Sequence, residues 1–166
     1  MSFNFNFRLA ESKRDIDKLT QFVLMYPLNY RGYFDWVDKA REELLIGYKE
    51  SVLCFSEDIL VGNLIFQPSK SMKGFCELKN GRTLKEFQRR YILSFMIRQV
   101  EVEARERGDV AVIGDARSDR LDVLTLFLSK GYKEVARADL YGEGYEDVVL
   151  IKPFIPREEN SWLYAA

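Results

Sequence analysis

Lys79-Asn80-Gly81-Arg82-Thr83-Leu84-Lys85-Glu86-Phe87-Gln88-Arg89-Arg90-Tyr91-Ile92-Leu93-Ser94 joins a strand pattern to a helical one through a basic turn. A strand pattern ends at Asn80, a polar loop follows, and a long helix is predicted to open at Gln88. Between Lys79 and Arg90, the basic residues Lys79, Arg82, Lys85, Arg89 and Arg90 stand against a single acidic residue, Glu86. A helix start presents backbone N–H groups without partners and the positive end of the peptide dipoles. Arginines beside such an end make a seat suited to a diphosphate. A solvated basic turn is the competing reading of the same residues.

On the N-terminal side, residues 75–80 alternate as a half-buried strand, with Phe75, Glu77 and Lys79 on one face and Cys76, Leu78 and Asn80 on the other. Before them come two strands, predicted over 51–56 and 60–67 and turned by Glu57-Asp58. Further back lie two helices, 14–25 with Ser12 as N-cap and 34–46 stopped at Gly47. Their inner faces are Ile16, Leu19, Phe22 and Val23, then Trp36, Val37, Ala40 and Leu44. Residues 5–10 form the first strand. On the C-terminal side, the long helix is predicted over 88–107, with Ile92, Met96, Val100 and Ala104 as a stripe and Glu101–Arg105 and Glu103–Arg107 as supporting pairs. After it come a buried strand at 110–113, a helix at 119–130 through Leu121, Leu124, Phe127 and Leu128, and strands at 132–141 and 145–152 around Gly142 and Gly144. The order is β-α-α-β-β-β-α-β-α-β-β. Hairpin-linked and helix-linked strands together imply a mixed α/β sheet covered by helices. Residues 1–152 are expected to form one domain, and 153–166 a tail carrying Trp162, Leu163 and Tyr164.

Composition narrows the function classes. The 166 residues carry a formal net charge of −1, which leaves no global field for nucleic acid or an anionic membrane. No apolar run reaches the roughly 20 residues of a membrane span. The two cysteines, Cys54 and Cys76, lie in apolar strand patterns and read as buried thiols. A cytoplasmic location is the expectation from these features. The chain contains no histidine, which removes Ser-His-Asp triads, Cys-His dyads and His-based metal sites. Acid–base work falls to Asp, Glu, Tyr, Lys, Cys or water, and no metal site is expected.

The segment Cys76-Glu77-Leu78, continued through Phe87-Gln88-Arg89-Arg90-Tyr91-Ile92-Leu93-Ser94 and a helix ending Ala104-Arg105-Glu106-Arg107-Gly108, resembles the acyl-CoA motif of the GNAT N-acetyltransferase family. The helix from Arg120 to Phe127, closing on Ser129-Lys130-Gly131-Tyr132, resembles the family's next motif, which ends in Gly-Phe. The element order matches over residues 5–152. The family's diphosphate turn reads Arg/Gln-x-x-Gly-x-Gly/Ala; here Gln88 fits, while Tyr91 and Leu93 stand at the two glycine positions.

The resemblance implies a GNAT-like acyl-CoA N-acyltransferase fold and acetyl-CoA, or another acyl-CoA, as cofactor. It implies a turn of Gln88, Arg89, Arg90, Tyr91, Ile92, Leu93 and Ser94 around the diphosphate. The main chain of Arg82, Thr83 and Leu84 is then expected along the pantetheine arm. Glu77 matches a strand glutamate that serves as general base in some members. The family's acid tyrosine is replaced by Phe127, which is expected beside the cofactor, and Tyr141 or Tyr91 is the substitute hydroxyl. The aromatic segment 26–36 is expected to border the acceptor, a small-molecule or peptide amine. Two further readings stand beside this one: a GNAT-fold module that binds acyl-CoA or protein without turnover, and an unrelated α+β binder. A homodimer is the expected assembly if there is one; neither nucleic acid nor membrane is an expected partner.

Overall fold

The computed structural model describes residues 4–154. The elements follow the expected order: β1 (Phe5–Leu9), α1 (Lys13–Met25), α2 (Tyr33–Leu45), β2 (Glu50–Ser56), β3 (Ile59–Pro68), β4 (Phe75–Thr83), α3 (Ile92–Glu106), β5 (Ala111–Arg117), α4 (Leu121–Ser129), β6 (Lys133–Ala138) and β7 (Asp147–Pro153). The seven strands hydrogen-bond in the order β1-β2-β3-β4-β5-β7-β6. The sheet is mixed: β4 pairs β5 in parallel, whereas β1–β2, β2–β3, β5–β7 and β7–β6 are antiparallel. The chain divides into two compact units. One comprises the described part of Met1–Gln67 with Lys79–Val100, the other Pro68–Leu78 with the described part of Glu101–Ala166.

In the first unit, Ser12 caps α1 as expected, and the cap is reciprocal. Its side chain accepts the Asp15 N–H at 3.1 Å, while the Asp15 carboxylate accepts the Ser12 N–H at 3.3 Å. That carboxylate also takes a two-pronged bond from Arg8, at 2.7 Å to each oxygen. The apolar faces of α1 and α2, Ile16, Leu19, Phe22, Val23, Tyr33, Val37 and Leu44, pack on Leu53, Phe55 and Ile65 of β2 and β3. Each such side chain contributes about 1.5–3 kcal/mol when fully buried. Trp36, expected on the inner face, is only partly buried, and Tyr33 takes the inner position. Gly62 lets α3 approach β3 closely: a Cβ there would stand 3.3 Å from Ile92 Cγ2 and 3.4 Å from Met96 Cε.

In the second unit, Phe75, Cys76 and Glu77 of β4 pair with Ala111, Val112 and Ile113. Phe75, Ala111 and Ile151 form a core with Met72, Val110, Ile113 and Val135 around it. Gly114 admits the Phe127 ring, whose Cζ would lie 3.4 Å from a Cβ at that position.

Several boundaries differ from those the sequence suggests. The long helix starts at Ile92, not Gln88. Strand β4 runs on to Thr83 instead of stopping at Asn80, with Asn80 held at φ +48° inside it. Strand β5 extends to Arg117. Helix α4 is shorter than 119–130, and Leu121 and Leu128 are exposed, so its apolar stripe reduces to Leu124 and Phe127. Strands β6 and β7 are shorter than 132–141 and 145–152, because residues 139–146 form a loop folded around Asp139, whose carboxylate accepts the N–H groups of Glu143 (3.1 Å) and Gly144 (2.9 Å). Glu101 bonds Lys152 at 3.0 Å and the Tyr132 hydroxyl at 3.1 Å, a long-range network in place of the expected helix pair with Arg105. The tail residues Trp162, Leu163 and Tyr164 lie outside the described residues.

Candidate active site

The basic turn belongs to the first unit. The Leu84 N–H donates to the Val61 carbonyl at 2.8 Å, the last backbone bond of the strand into the turn. A single 3-10 turn, Lys85–Phe87, follows. The Gln88 side-chain amide then reaches back to the Thr83 carbonyl at 3.2 Å. Arg89 and Tyr91 both adopt left-handed backbone, at φ +60° and +61°. The Tyr91 carbonyl accepts the Phe95 N–H at 2.9 Å, so Tyr91 is the residue on which the α3 ladder is founded. Ile92 behind it is buried, whereas the Tyr91 side chain is 77 % exposed.

Tyrosine stands where the resemblance has glycine, yet the backbone follows the left-handed course that glycine favours. An L-residue in that conformation costs roughly 1–2 kcal/mol. The Tyr91 ring is exposed to solvent. The left-handed turn, the helix start and flanking Arg89 and Arg90 are the groups that could hold an anion here, and Leu93 and Ser94 lie half-buried in the first turn.

Thr83 and Leu84 lie where the strand hands over to the turn. Arg82 has a side-chain commitment the sequence did not announce. Its guanidinium donates to Asn80 Oδ1, to the Tyr26 carbonyl and, at 3.0 Å, to the Tyr33 hydroxyl.

The other candidates belong to the second unit. Glu77 is half-buried in register with Ile113, between buried Cys76 and Leu78. Tyr141 sits in the loop after β6, and its hydroxyl donates to Asp115 at 2.9 Å. Loss of water around the hydroxyl raises its pKa well above the ordinary tyrosine value. The carboxylates of Asp115, Asp147 and Glu77 push the same way. Asp147 is buried and accepts the Leu140 N–H at 3.2 Å. Tyr141 and Glu77 are therefore in electrostatic reach of each other, with Asp115 and Asp147 as partners that sequence reasoning missed. The Asp139-x-x-Gly142-x-Gly144 spacing, an acceptor followed by two flexible residues, was the available signal for this loop. Phe127 is 6 % exposed and meets the Tyr132 ring edge-on at 4.9 Å. Cys54 and Cys76 are buried and not joined in a disulfide, and burial pushes Cys54 up to about 11. Among the described residues no helix is long and apolar enough to cross a membrane.

Neither the family models nor the curated proteins contain a match to this sequence. Solved structures do match. A structure from Desulfovibrio desulfuricans assigned to the GNAT family of acetyltransferases superposes with a TM-score of 0.76 at 14 % identity, over 90 % of this chain and 99 % of the other. The ribosomal-protein-S18-alanine N-acetyltransferase from Escherichia coli gives 0.70 at 12 % identity, over 95 % and 98 %. An aminoglycoside 6'-N-acetyltransferase complexed with coenzyme A gives 0.70 at 18 % identity, over 94 % and 99 %. The chain has the GNAT acetyltransferase fold. At these identities the likeness speaks for the fold; activity has to be argued from the residues.

Proposed function

We propose that the chain is an acyl-CoA-dependent N-acyltransferase that moves an acetyl group from acetyl-CoA to a primary amine on a small molecule or peptide. The observation that carries this reading is the turn at 88–91. It keeps left-handed backbone at Arg89 and Tyr91 and an exposed Tyr91 ring at the start of α3, in a chain with the GNAT fold. Similar folds include a peptide-directed enzyme, named for an alanine of ribosomal protein S18, and an aminoglycoside-directed one bound to coenzyme A. Both acceptors carry amines, which supports the reaction class and leaves the acceptor to experiment.

Each residue then has a role that physics can support. The N–H groups of Ile92, Leu93 and Ser94, with Arg89 and Arg90, hold the diphosphate. Gln88 ties the turn to Thr83, and the main chain of Arg82, Thr83 and Leu84 runs beside the pantetheine arm. When bound, acetyl-CoA supplies an activated thioester. Glu77 accepts the proton that the amine loses as its nitrogen bonds to the acyl carbon; the C–S bond breaks and its electron pair leaves with sulfur. Tyr141 and Tyr91 are the hydroxyls that would stand in for the missing acid; the Tyr141 proton is committed to Asp115, which leaves Tyr141 a minor role beside Glu77. Phe127 takes no part in proton transfer and supports the strand through Gly114.

The test is release of free CoA from acetyl-CoA across a panel of amines. Glu77→Gln is expected to leave acetyl-CoA affinity within about twofold, lower kcat by roughly 10²-fold and flatten the acidic limb of the pH–rate profile. Tyr141→Phe is expected to cost much less than Glu77→Gln. An unchanged profile in Glu77→Gln removes Glu77 from the mechanism. Binding of acetyl-CoA without turnover of any amine replaces the enzyme with a binding module.

A further inference from the structure

The Arg82 side chain joins parts of the first unit that are far apart in sequence. Its Nε donates to Asn80 Oδ1 at 3.0 Å, and Nη2 bonds the same oxygen. Nη2 also donates to the Tyr33 hydroxyl at 3.0 Å, and Nη1 to the Tyr26 carbonyl. The Tyr33 hydroxyl in turn donates to the Val23 carbonyl at 2.6 Å. One guanidinium thus binds the end of α1, the start of α2 and the left-handed residue of β4. Its planar fork suits this task, since several donors act at once in fixed directions. It also lies 5.9 Å from the centre of the Tyr33 ring.

What Arg82 holds is the connection between α1 and α2. Tyr33 is buried and anchors three aromatic neighbours: Tyr30 and Phe34 edge-on at 5.2 and 5.7 Å, and Trp36 stacked at 6.3 Å. Tyr26, Leu28 and Phe34 of the same stretch remain exposed. The partner of the clamp on β4 has little slack. Asn63 Nδ2 donates to the Asn80 carbonyl at 2.9 Å, which fixes the orientation of the Asn63 amide. Arg82 fixes the Asn80 amide in the same way. That leaves Asn63 Oδ1 and Asn80 Nδ2 buried without hydrogen-bond partners. Removing Arg82 would add Asn80 Oδ1 to groups already unpaired, in a place where each such loss is costly.

We infer that Arg82 is a positioning residue for the acceptor amine. Through Asn80 and Tyr33 it sets the aromatic wall of residues 26–34 in register with the strand that leads into the diphosphate turn. The inference rests on the acyltransferase reading, in which this wall borders the acceptor. Of the wall's exposed residues Tyr26, Leu28 and Phe34 are uncharged and Arg31 is basic, so the probes are aryl and alkyl primary amines, phenethylamine and tryptamine among them, together with amino-acid amides.

The experiment compares wild type, Arg82→Lys and Arg82→Ala in three measurements: acetyl-CoA affinity, steady-state kinetics with the best-used amine of the panel, and hydrogen exchange of the 26–36 backbone. Only the main chain of Arg82 runs beside the pantetheine arm in that reading, so the expected change in acetyl-CoA affinity is several-fold smaller than the change in amine KM in both variants. The amine KM should rise by about tenfold or more, with kcat changing several-fold less. Exchange at 26–36 should quicken. Arg82→Lys should recover little, because one ammonium cannot reach all three acceptors, whereas added guanidinium should lower the raised KM of Arg82→Ala. A loss of acetyl-CoA affinity as large as the rise in amine KM overturns the proposal and moves Arg82 to the cofactor seat. Unchanged exchange at 26–36 overturns the clamp itself, whatever the chain's activity. Wild type that neither binds acetyl-CoA nor uses any amine defeats the acyltransferase reading, and the acceptor role of Arg82 falls with it.

Discussion

Tyr91 carries a conformational cost for the sake of the turn. A left-handed tyrosine at φ +61° is disfavoured by roughly 1–2 kcal/mol, and glycine removes that penalty while adding about 0.5–1 kcal/mol of chain entropy to be lost on folding. The two nearly cancel in stability, so Tyr91→Gly should leave the melting temperature within a few degrees. With the ring turned to solvent, calorimetric titration of Tyr91→Gly with acetyl-CoA is expected to show binding within about threefold of wild type. Binding weakened tenfold would mean that the tyrosine ring itself holds part of the ligand. Little of this was legible beforehand, because nothing in an arginine or tyrosine side chain announces positive φ. The pattern Gln88-x-x-Tyr91-x-Leu93 reads as a plain helix start, and only its likeness to a glycine-bearing signature hinted at a turn. The Arg82 contacts were equally hidden, since they join residues 49 and 56 positions apart.

Helices and strands were far more readable, because periodicity is local and burial enforces it. The stripe Ile92, Met96, Val100 and Ala104 is wholly buried, as its spacing of four requires. Ser12 caps α1 because a short polar side chain lies directly before a helical apolar pattern. A strand that changes conformation midway is harder to read: the alternation breaks at Asn80, held at φ +48°, although β4 continues to Thr83. In α4 the apolar count exceeded what one face can bury, and Leu121 and Leu128 were left outside.

The α1 cap also carries a pH dependence. Hydrogen bonds from Arg8 hold the Asp15 carboxyl well below the usual carboxylate range against the opposing cost of burial, and the N–H groups of Ser12 and Glu11 assist. A depressed folded-state pKa means stability that is present above the unfolded value near ~3.9 and lost as pH falls below it. Asp15→Ala should therefore cost about 1–2 kcal/mol at pH 7. Urea midpoints of the variant and wild type should converge as pH drops from about 4 toward 2. A gap that stays constant across that range would assign Asp15 a purely steric role.

At the scale of the whole chain, element order is legible because each break is marked locally: Gly47, Gly108 and Gly131 all stand at positive φ just past helix ends. The function is less legible, because one fold serves many activities, and the roles proposed for Glu77, Tyr141 and Arg82 rest on where their side chains stand. The central claim is that the front of α3 holds the diphosphate of acyl-CoA. The most direct measurement is the melting temperature as acetyl-CoA is raised into the millimolar range, in wild type and in Arg89→Asn combined with Arg90→Ala. Asparagine is chosen at 89 because it tolerates left-handed backbone. A ligand at about 100 times its Kd stabilises by about 2.7 kcal/mol, which for a chain of this length raises the midpoint by about 5–10 °C. The account expects such a rise in wild type and a loss of most of it in the double variant at the same ligand concentration. No rise in wild type at millimolar acetyl-CoA, or an equal rise in both proteins, would contradict it.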